Sequence, residues 1–177
     1  MEFFKTSKNY SLEKSTYVNL RWTAYAGQLI TILIVQFFLK FDFNYLLCIL
    51  IILFSILTNL YLDLKIKENY LNNFTSTIYL GFDIVQLSCL LFLTGGITNP
   101  FIFILIIPAV FSSQYLNLWS SIFLVLLTTL ILFILTFYFF ELPHPSERHF
   151  HVPNYYLYSI PVSIFIGLIY LVYFGVK

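Results

Sequence analysis

The sequence predicts an all-α integral membrane protein, a six-transmembrane-helix bundle with both termini cytoplasmic. Three observations lead to this fold class: 60% of the 177 residues are hydrophobic, only 10% are charged, and the apolar residues form long continuous runs. An average soluble domain carries roughly 25% charged residues, which face water. Because a run of about 20 apolar residues matches the thickness of a bilayer, the chain is expected to lie within one. Continuous rather than alternating runs exclude a closed β-barrel.

Six apolar segments follow a polar N-terminal stretch. Residues 1–19 are predicted to form a cytoplasmic segment, and residues 20–177 are predicted to form the six-helix domain. The predicted helices cover residues 20–39, 45–62, 78–93, 100–115, 119–140 and 156–174. The first apolar run begins too late and is too long for a cleaved signal peptide, so it is expected to remain as the first helix.

Lysine and arginine are distributed unevenly between alternate connections, and this asymmetry predicts the orientation. With the N-terminus inside, the inner side holds most of these residues, and only Lys40 and Arg148 lie outside. The inner set is Lys5, Lys8, Lys14, Arg21, Lys65, Lys67 and Lys177. Because positively charged residues are retained on the cytoplasmic side, both termini are expected there.

Composition and the position of the histidines exclude several function classes. A net charge of +1 offers no basic surface for nucleic acid. His144, His149 and His151 fall in one predicted outer loop, so no helix supplies a haem ligand or the histidine of a serine protease site. Their spacing is irregular, so no metal site is predicted. Cys48 and Cys89 lie in apolar runs without a CxxC spacing and are expected to be small apolar side chains.

Asp83 is the only acidic residue deep in an apolar run, about a turn and a half from the inner end of the third predicted helix. An intramembrane carboxylate is costly unless it is paired, and Gln86 lies on the same helical face. Arg21, near the inner end of the first helix, lies at a matching depth. We expect an Arg21–Asp83 pair that fixes helix packing, with a proton or ligand role for Asp83 as the alternative. Hydrogen bonds between helices would account for the polar residues of the first helix, Gln28, Thr31 and Gln36.

The connection between the third and fourth predicted helices reads GGITNPF. Gly95 can end a helix in the left-handed conformation, Gly96 lets the backbone turn, and Asn99 with Pro100 is typical of an N-cap and first helical residue. Unpaired N–H groups, the Asn99 amide and the Phe101 ring would meet at the outer interface. A quinone head group needs hydrogen-bond donors and an aromatic surface, so a plain turn and a quinone site are both open interpretations.

The sequence from Phe82 through GGITNPF to Val110 resembles the membrane sensor region of the RegB/PrrB family of redox-sensing histidine kinases. The start of the first helix, Leu20-Arg21-Trp22 with Gln28 one to two turns later, is similar to the same family. The resemblance implies six transmembrane helices and bound ubiquinone at the GGxxNPF motif, with Asn99 as hydrogen-bond donor, Phe101 as stacking partner and the glycines allowing close approach. The implied quinone-binding residues are Gly95, Gly96, Asn99, Pro100 and Phe101.

The resemblance also implies a homodimer in a bacterial inner membrane, in contact with lipid and quinone. Its sixth helix would pass quinone occupancy or redox state to a cytoplasmic kinase, and through that kinase to a response regulator. In the family, a phospho-accepting histidine, a redox-active cysteine and an ATP-binding domain follow helix six. The sequence stops at Lys177 without them, so we expect the sensor portion alone, or a family member without a kinase, and assign no autophosphorylation to these residues.

Two other classes remain as alternatives. A membrane subunit of a vitamin-type transporter has a similar number of helices in a similar length, and Asp83 and Gln86 would then bind substrate. A structural subunit would use the GGITNPF connection only as a turn.

Overall fold

The structure is a computed structural model that describes residues 12–142, 158, 160–162, 164–165 and 167–169. Its longer helices are α1 (Lys14–Leu33), α2 (Tyr45–Lys65), α3 (Asn73–Leu93), α4 (Ile106–Tyr115) and α5 (Leu118–Phe137). A π-helical turn, Ile34–Phe38, extends α1. Two 3-10 segments, Gly96–Thr98 and Pro100–Leu105, connect α3 to α4. Two short strands, β1 (Leu12–Glu13) and β2 (Tyr70–Leu71), pair antiparallel.

Within the described part of the chain, three helices are long and apolar enough to cross a bilayer: α2, α3 and α5. Their outer faces are apolar, as shown by Leu57 on α2, Ile78 on α3 and Leu126 on α5, which are 62%, 53% and 62% exposed. Continuous apolar surface of this kind is stable in lipid rather than in water. The prediction of a helical membrane protein is confirmed, whereas the six-span count and the cytoplasmic termini stay predictions.

Two helices begin earlier than their apolar runs suggested. α1 begins at Lys14 rather than at residue 20, and α3 begins at Asn73 rather than at residue 78. The Lys14 ammonium donates to the backbone carbonyls of Asp63 and Ile66 at the end of α2, at 2.9 Å each. The predicted boundary between a segment 1–19 and the bundle therefore falls inside α1. An apolar run marks the part of a helix that suits lipid, while polar contacts extend the helix beyond it.

Asparagine side chains fix the start of α3 to the connection between α4 and α5. Asn73 Oδ1 accepts from the backbone N–H of Asn117 at 2.9 Å, and Asn73 Nδ2 donates to Ser120 Oγ at 2.8 Å. Asn72 and Asn117 also cap α3 and α5 by accepting from N–H groups of the first turns. These contacts bring one end of α3, α4 and α5 together on the side of the bundle that holds β1 and β2.

The fourth predicted helix, residues 100–115, is not a uniform α-helix. It begins as the 3-10 segment and becomes α-helical only at Ile106. Pro108 lacks the N–H that would bond to the Ile104 carbonyl in a continuous α-helix, which favours the tighter winding before it. α5 ends at Phe137, before the predicted residue 140, because the chain then turns towards α3, where the Phe140 N–H donates to the Phe92 carbonyl at 2.9 Å.

Only part of the remaining chain is described. Residues 1–11, most of the predicted outer connection with its three histidines, and much of the sixth predicted helix lie outside the described residues. Those of residues 158–169 that the structure describes are helical, and Ile164 and Leu168 are buried. The final helical segment therefore packs on the same core as α3 and α5.

Candidate functional site

Arg21 and Asp83 form an ion pair in the interior between α1 and α3. Arg21 Nη2 lies 2.9 Å and Nε lies 3.0 Å from Asp83 Oδ1. The Arg21 side chain is 3% exposed and the Asp83 side chain 17%. An unpaired charge in an apolar interior costs several kcal/mol, so each group makes burial of the other tolerable.

Side chains from α1 and α2 complete the hydrogen bonds of this pair. Tyr17 on α1 donates its hydroxyl to Asp83 Oδ2. On α2, Thr58 Oγ1 and Asn59 Oδ1 accept from the Arg21 guanidinium at 3.0 and 3.4 Å. Aromatic rings surround the guanidinium at 5.4–5.9 Å from their centroids: Tyr17, Tyr25, Tyr79 and Phe82. The pair therefore fixes α1, α2 and α3 relative to one another.

The depth predicted for Asp83 is wrong, although its partner is the expected one. Because α3 begins at Asn73 and ends at Leu93, Asp83 lies at the middle of that helix rather than near its inner end. Neither Arg21 nor Asp83 lines the cavity described next. The contacts thus favour the packing role over a ligand role for Asp83.

An apolar cavity of about 630 Å³ lies between α1, α3 and the 3-10 segment Pro100–Leu105. This volume falls within the usual range of small-molecule sites. The motif contributes Asn99, Pro100 and Phe101 to its wall. α1 contributes Thr23, Ala24, Gly27, Gln28, Thr31 and Ile32, and α3 contributes Leu87, Leu90 and Leu91. The structure therefore places the C-terminal half of α1 against the motif, a juxtaposition that the sequence pattern did not indicate.

Asn99 caps the 3-10 segment and has little freedom to bind anything else. Its Nδ2 donates to the carbonyl and the hydroxyl of Thr94, both at 2.8 Å, and its Oδ1 accepts from the Phe101 N–H at 2.8 Å. The Ile102 N–H donates to the Asn99 carbonyl at 3.0 Å. The expectation of unpaired N–H groups is therefore wrong at these two residues. In this arrangement Asn99 shapes the cavity wall, and its amide is already engaged.

Gly95 and Gly96 are required by the protein's own packing. Both have positive φ, +115° and +52°, which other residues adopt at a cost. A Cβ on Gly95 would lie 2.6 Å from Leu142 Cδ1, and a Cβ on Gly96 would overlap Phe139. Neither glycine lines the cavity, but Leu142 does. The two glycines therefore allow the chain after α5, at Phe139 and Leu142, to pack closely against this connection.

The polar residues of α1 behave differently from one another. Gln86 on α3 donates from Nε2 to Gln28 Oε1 at 3.0 Å, so Gln28 makes the expected contact between helices. Thr31 instead donates to the Gly27 carbonyl of its own helix, and Gln36 Oε1 is buried without a partner among the described residues. Gln28 lines the cavity while Gln86, 5% exposed, lies behind it.

The apolar helices and the buried ion pair define the chain as a helical membrane protein. It is 32% identical over 160 residues to the sensor histidine kinase RegB of Cereibacter sphaeroides, an alignment that covers 88% of this chain and 34% of that protein. The resemblance is therefore confirmed, and the chain is a RegB/PrrB-like region. It spans about a third of the length of this relative. No family model and no solved structure matches the chain.

We expect Gly96→Ala to destabilise the protein by about 2 kcal/mol, because the new methyl group meets Phe139 and the backbone conformation is strained. Gly81→Ala is the matched control, since its Cβ would make ordinary contacts of 3.7 Å with Leu124 and Leu127. Unfolding in a mixed detergent with increasing denaturing detergent measures both variants. Equal stability of the two would show that Gly96 is not held by this packing.

A double-mutant cycle tests the ion pair. Asp83→Asn alone is expected to cost about 3 kcal/mol or more, because it leaves the Arg21 charge buried without a counter-charge. The two single variants are Asp83→Asn and Arg21→Gln. The double variant should lose less stability than the sum of the losses in the two single variants. The same unfolding assay gives all three values. Additive costs would show that the two side chains do not stabilise each other.

Proposed function

We propose that the chain is the quinone-binding membrane sensor region of a two-component sensor histidine kinase, with ubiquinone bound in the cavity beside GGITNPF. The observation that carries this proposal is that Asn99, Pro100 and Phe101 line the same apolar cavity as one face of α1. Similarity to the sensor histidine kinase RegB supports it. A mostly apolar cavity of this volume suits a flat ring with an apolar tail.

The motif residues have separate roles in this proposal. Phe101 is 45% exposed, so its ring is available to stack on a quinone ring. Asn99 holds the 3-10 segment that positions Phe101, and Pro100 begins that segment. Gly95 and Gly96 admit the chain after α5, which brings Leu142 to the cavity. The hydrogen-bond donor expected of Asn99 is therefore supplied by another residue.

The same contacts suggest how occupancy would be transmitted. A ligand between α1 and the 3-10 segment would set the distance between them, and the Arg21–Asp83 pair would carry a shift of α1 to α2 and α3. A sixth helix would pass this change to a cytoplasmic kinase and its response regulator, with a homodimer in the bacterial inner membrane and the N-terminus inside as the working unit. The transport-subunit alternative gains no support, because the Asp83 carboxylate is already bonded to Arg21 and Tyr17.

Filling the cavity tests the proposal. Gly27 lines it, and a Cβ on this residue would meet no atom within 4 Å. Gly27→Leu should therefore extend a side chain into ligand space from an unobstructed Cβ position and lower the affinity for ubiquinone-1 by about tenfold or more. Titration of the purified chain in lipid nanodiscs measures this affinity.

Ala26→Leu is the matched control, since Ala26 is exposed on α1 and does not line the cavity. It should bind ubiquinone-1 like the original sequence. Equal affinity of the Gly27→Leu variant and this control would place the ligand elsewhere. Absence of binding to the unaltered chain would reject the proposed function.

A further inference from the structure

We propose that Gln28 is the residue of this cavity that forms a hydrogen bond with the bound quinone. We also propose that the hydrogen bond between the Gln28 and Gln86 amides reverses its direction when the quinone is reduced, and so reports the oxidation state of the ligand. This inference rests on the proposed function. It assigns to α1 the polar contact that the motif itself does not supply, and it assigns to Gln86 a positioning role behind the cavity.

The hydrogen bonds of the cavity wall single out Gln28. The polar side chains that line the cavity are Thr23, Gln28, Thr31, Thr94 and Asn99. All three threonines donate to backbone carbonyls four residues earlier in the chain, at 2.8–3.0 Å. The Asn99 amide is engaged within its turn. Among these side chains in the described structure, Gln28 Nε2 is the donor that makes no hydrogen bond to the protein.

Gln86 determines which end of the Gln28 amide faces the ligand. Its Nε2 donates to Gln28 Oε1 at 3.0 Å, so the Gln28 oxygen is directed to α3 and the Gln28 NH₂ group is left for the cavity. Gln86 is 5% exposed and lies one turn after Asp83, in the helix that the ion pair fixes. A primary amide that donates into an apolar cavity fits a carbonyl oxygen, which accepts only.

Reduction changes what the ligand offers to this amide. A hydroquinone hydroxyl can donate, so its best partner is the Gln28 oxygen rather than the NH₂ group. If both amides turn over, the Gln28 NH₂ group faces α3 and donates to Gln86 Oε1, which makes no hydrogen bond within the described structure. Each oxidation state then has one satisfied contact, and the two states differ in the direction of the pair rather than in the number of bonds.

The first test measures binding of ubiquinone-1 and ubiquinol-1 to the full chain in lipid nanodiscs. Gln28→Met keeps the length of the side chain and removes the amide, so the affinity for both forms should fall by about fivefold to tenfold, the worth of one hydrogen bond. Gln114→Met is the matched control, because it makes the same substitution at an exposed position of α4 that does not line the cavity. It should change neither affinity by more than about twofold.

A second variant keeps the test decisive if the Gln28→Met protein does not fold. Gln28→Asn retains the amide but withdraws it by one methylene group, and it should weaken binding of both forms in the same way. Unchanged affinity in a folded Gln28 variant, with the Gly27→Leu effect intact, would overturn this inference and leave the proposed function standing. Failure of the unaltered chain to bind either form would overturn both.

The direction of the pair is read from side-chain amide signals in nuclear magnetic resonance spectra of chain labelled with ¹⁵N-glutamine. The chain has four glutamines, Gln28, Gln36, Gln86 and Gln114, so single substitutions assign the signals. The Gln86 NH₂ signal should differ between the ubiquinone-1 and ubiquinol-1 complexes and lose that difference in Gln28→Met. A merely structural Gln86 would give the same signal in both complexes, and that result would overturn the proposal that the amide pair reports the oxidation state.

Discussion

Burial of one arginine and one aspartate among apolar helices is the constraint on which the rest of the structure depends. Arg21 reaches Asp83 with two guanidinium nitrogens, and groups from α1 and α2 complete the hydrogen bonds. Neither charge is stable alone in such surroundings. Since an apolar side chain packs equally well against lipid or against another helix, it is the polar pair that specifies which helices adjoin and at what depth.

With α1 and α3 fixed by this pair, their C-terminal parts enclose a cavity. The cavity wall opposite α1 is a 3-10 segment that Asn99 caps and that Pro108 follows. A third side of the cavity includes Leu142, which lies after α5. Two glycines with positive φ allow that last approach. The GGITNPF motif therefore has mainly a structural role, since it positions Phe101 and allows the chain after α5 to approach, while its polar atoms bond to one another and to Thr94.

The motif and α1 would contact a bound quinone in different ways, and this difference determines how the quinone would be sensed. A ligand held by Phe101 on one side and Gln28 on the other would touch two elements that the ion pair connects near the centre of the bundle. The Gln28–Gln86 contact lies between the cavity and that pair. A change in the oxidation state of the ligand would thus affect α3 through a hydrogen bond rather than through a displacement of the backbone.

The sequence by itself determined the helical membrane class, the resemblance to RegB, the Asn99 cap and the identity of the Arg21 partner, because long apolar runs and rare intramembrane charges leave few alternatives. It did not determine the start of α3, and so misplaced Asp83, because polar residues before Ile78 become helical through contacts with the α4–α5 connection. Tertiary structure alone decided that Gly96 faces Phe139 and that Gln28 lines the cavity beside Phe101. Those residues are distant along the chain, and local patterns carry no information on which distant faces meet.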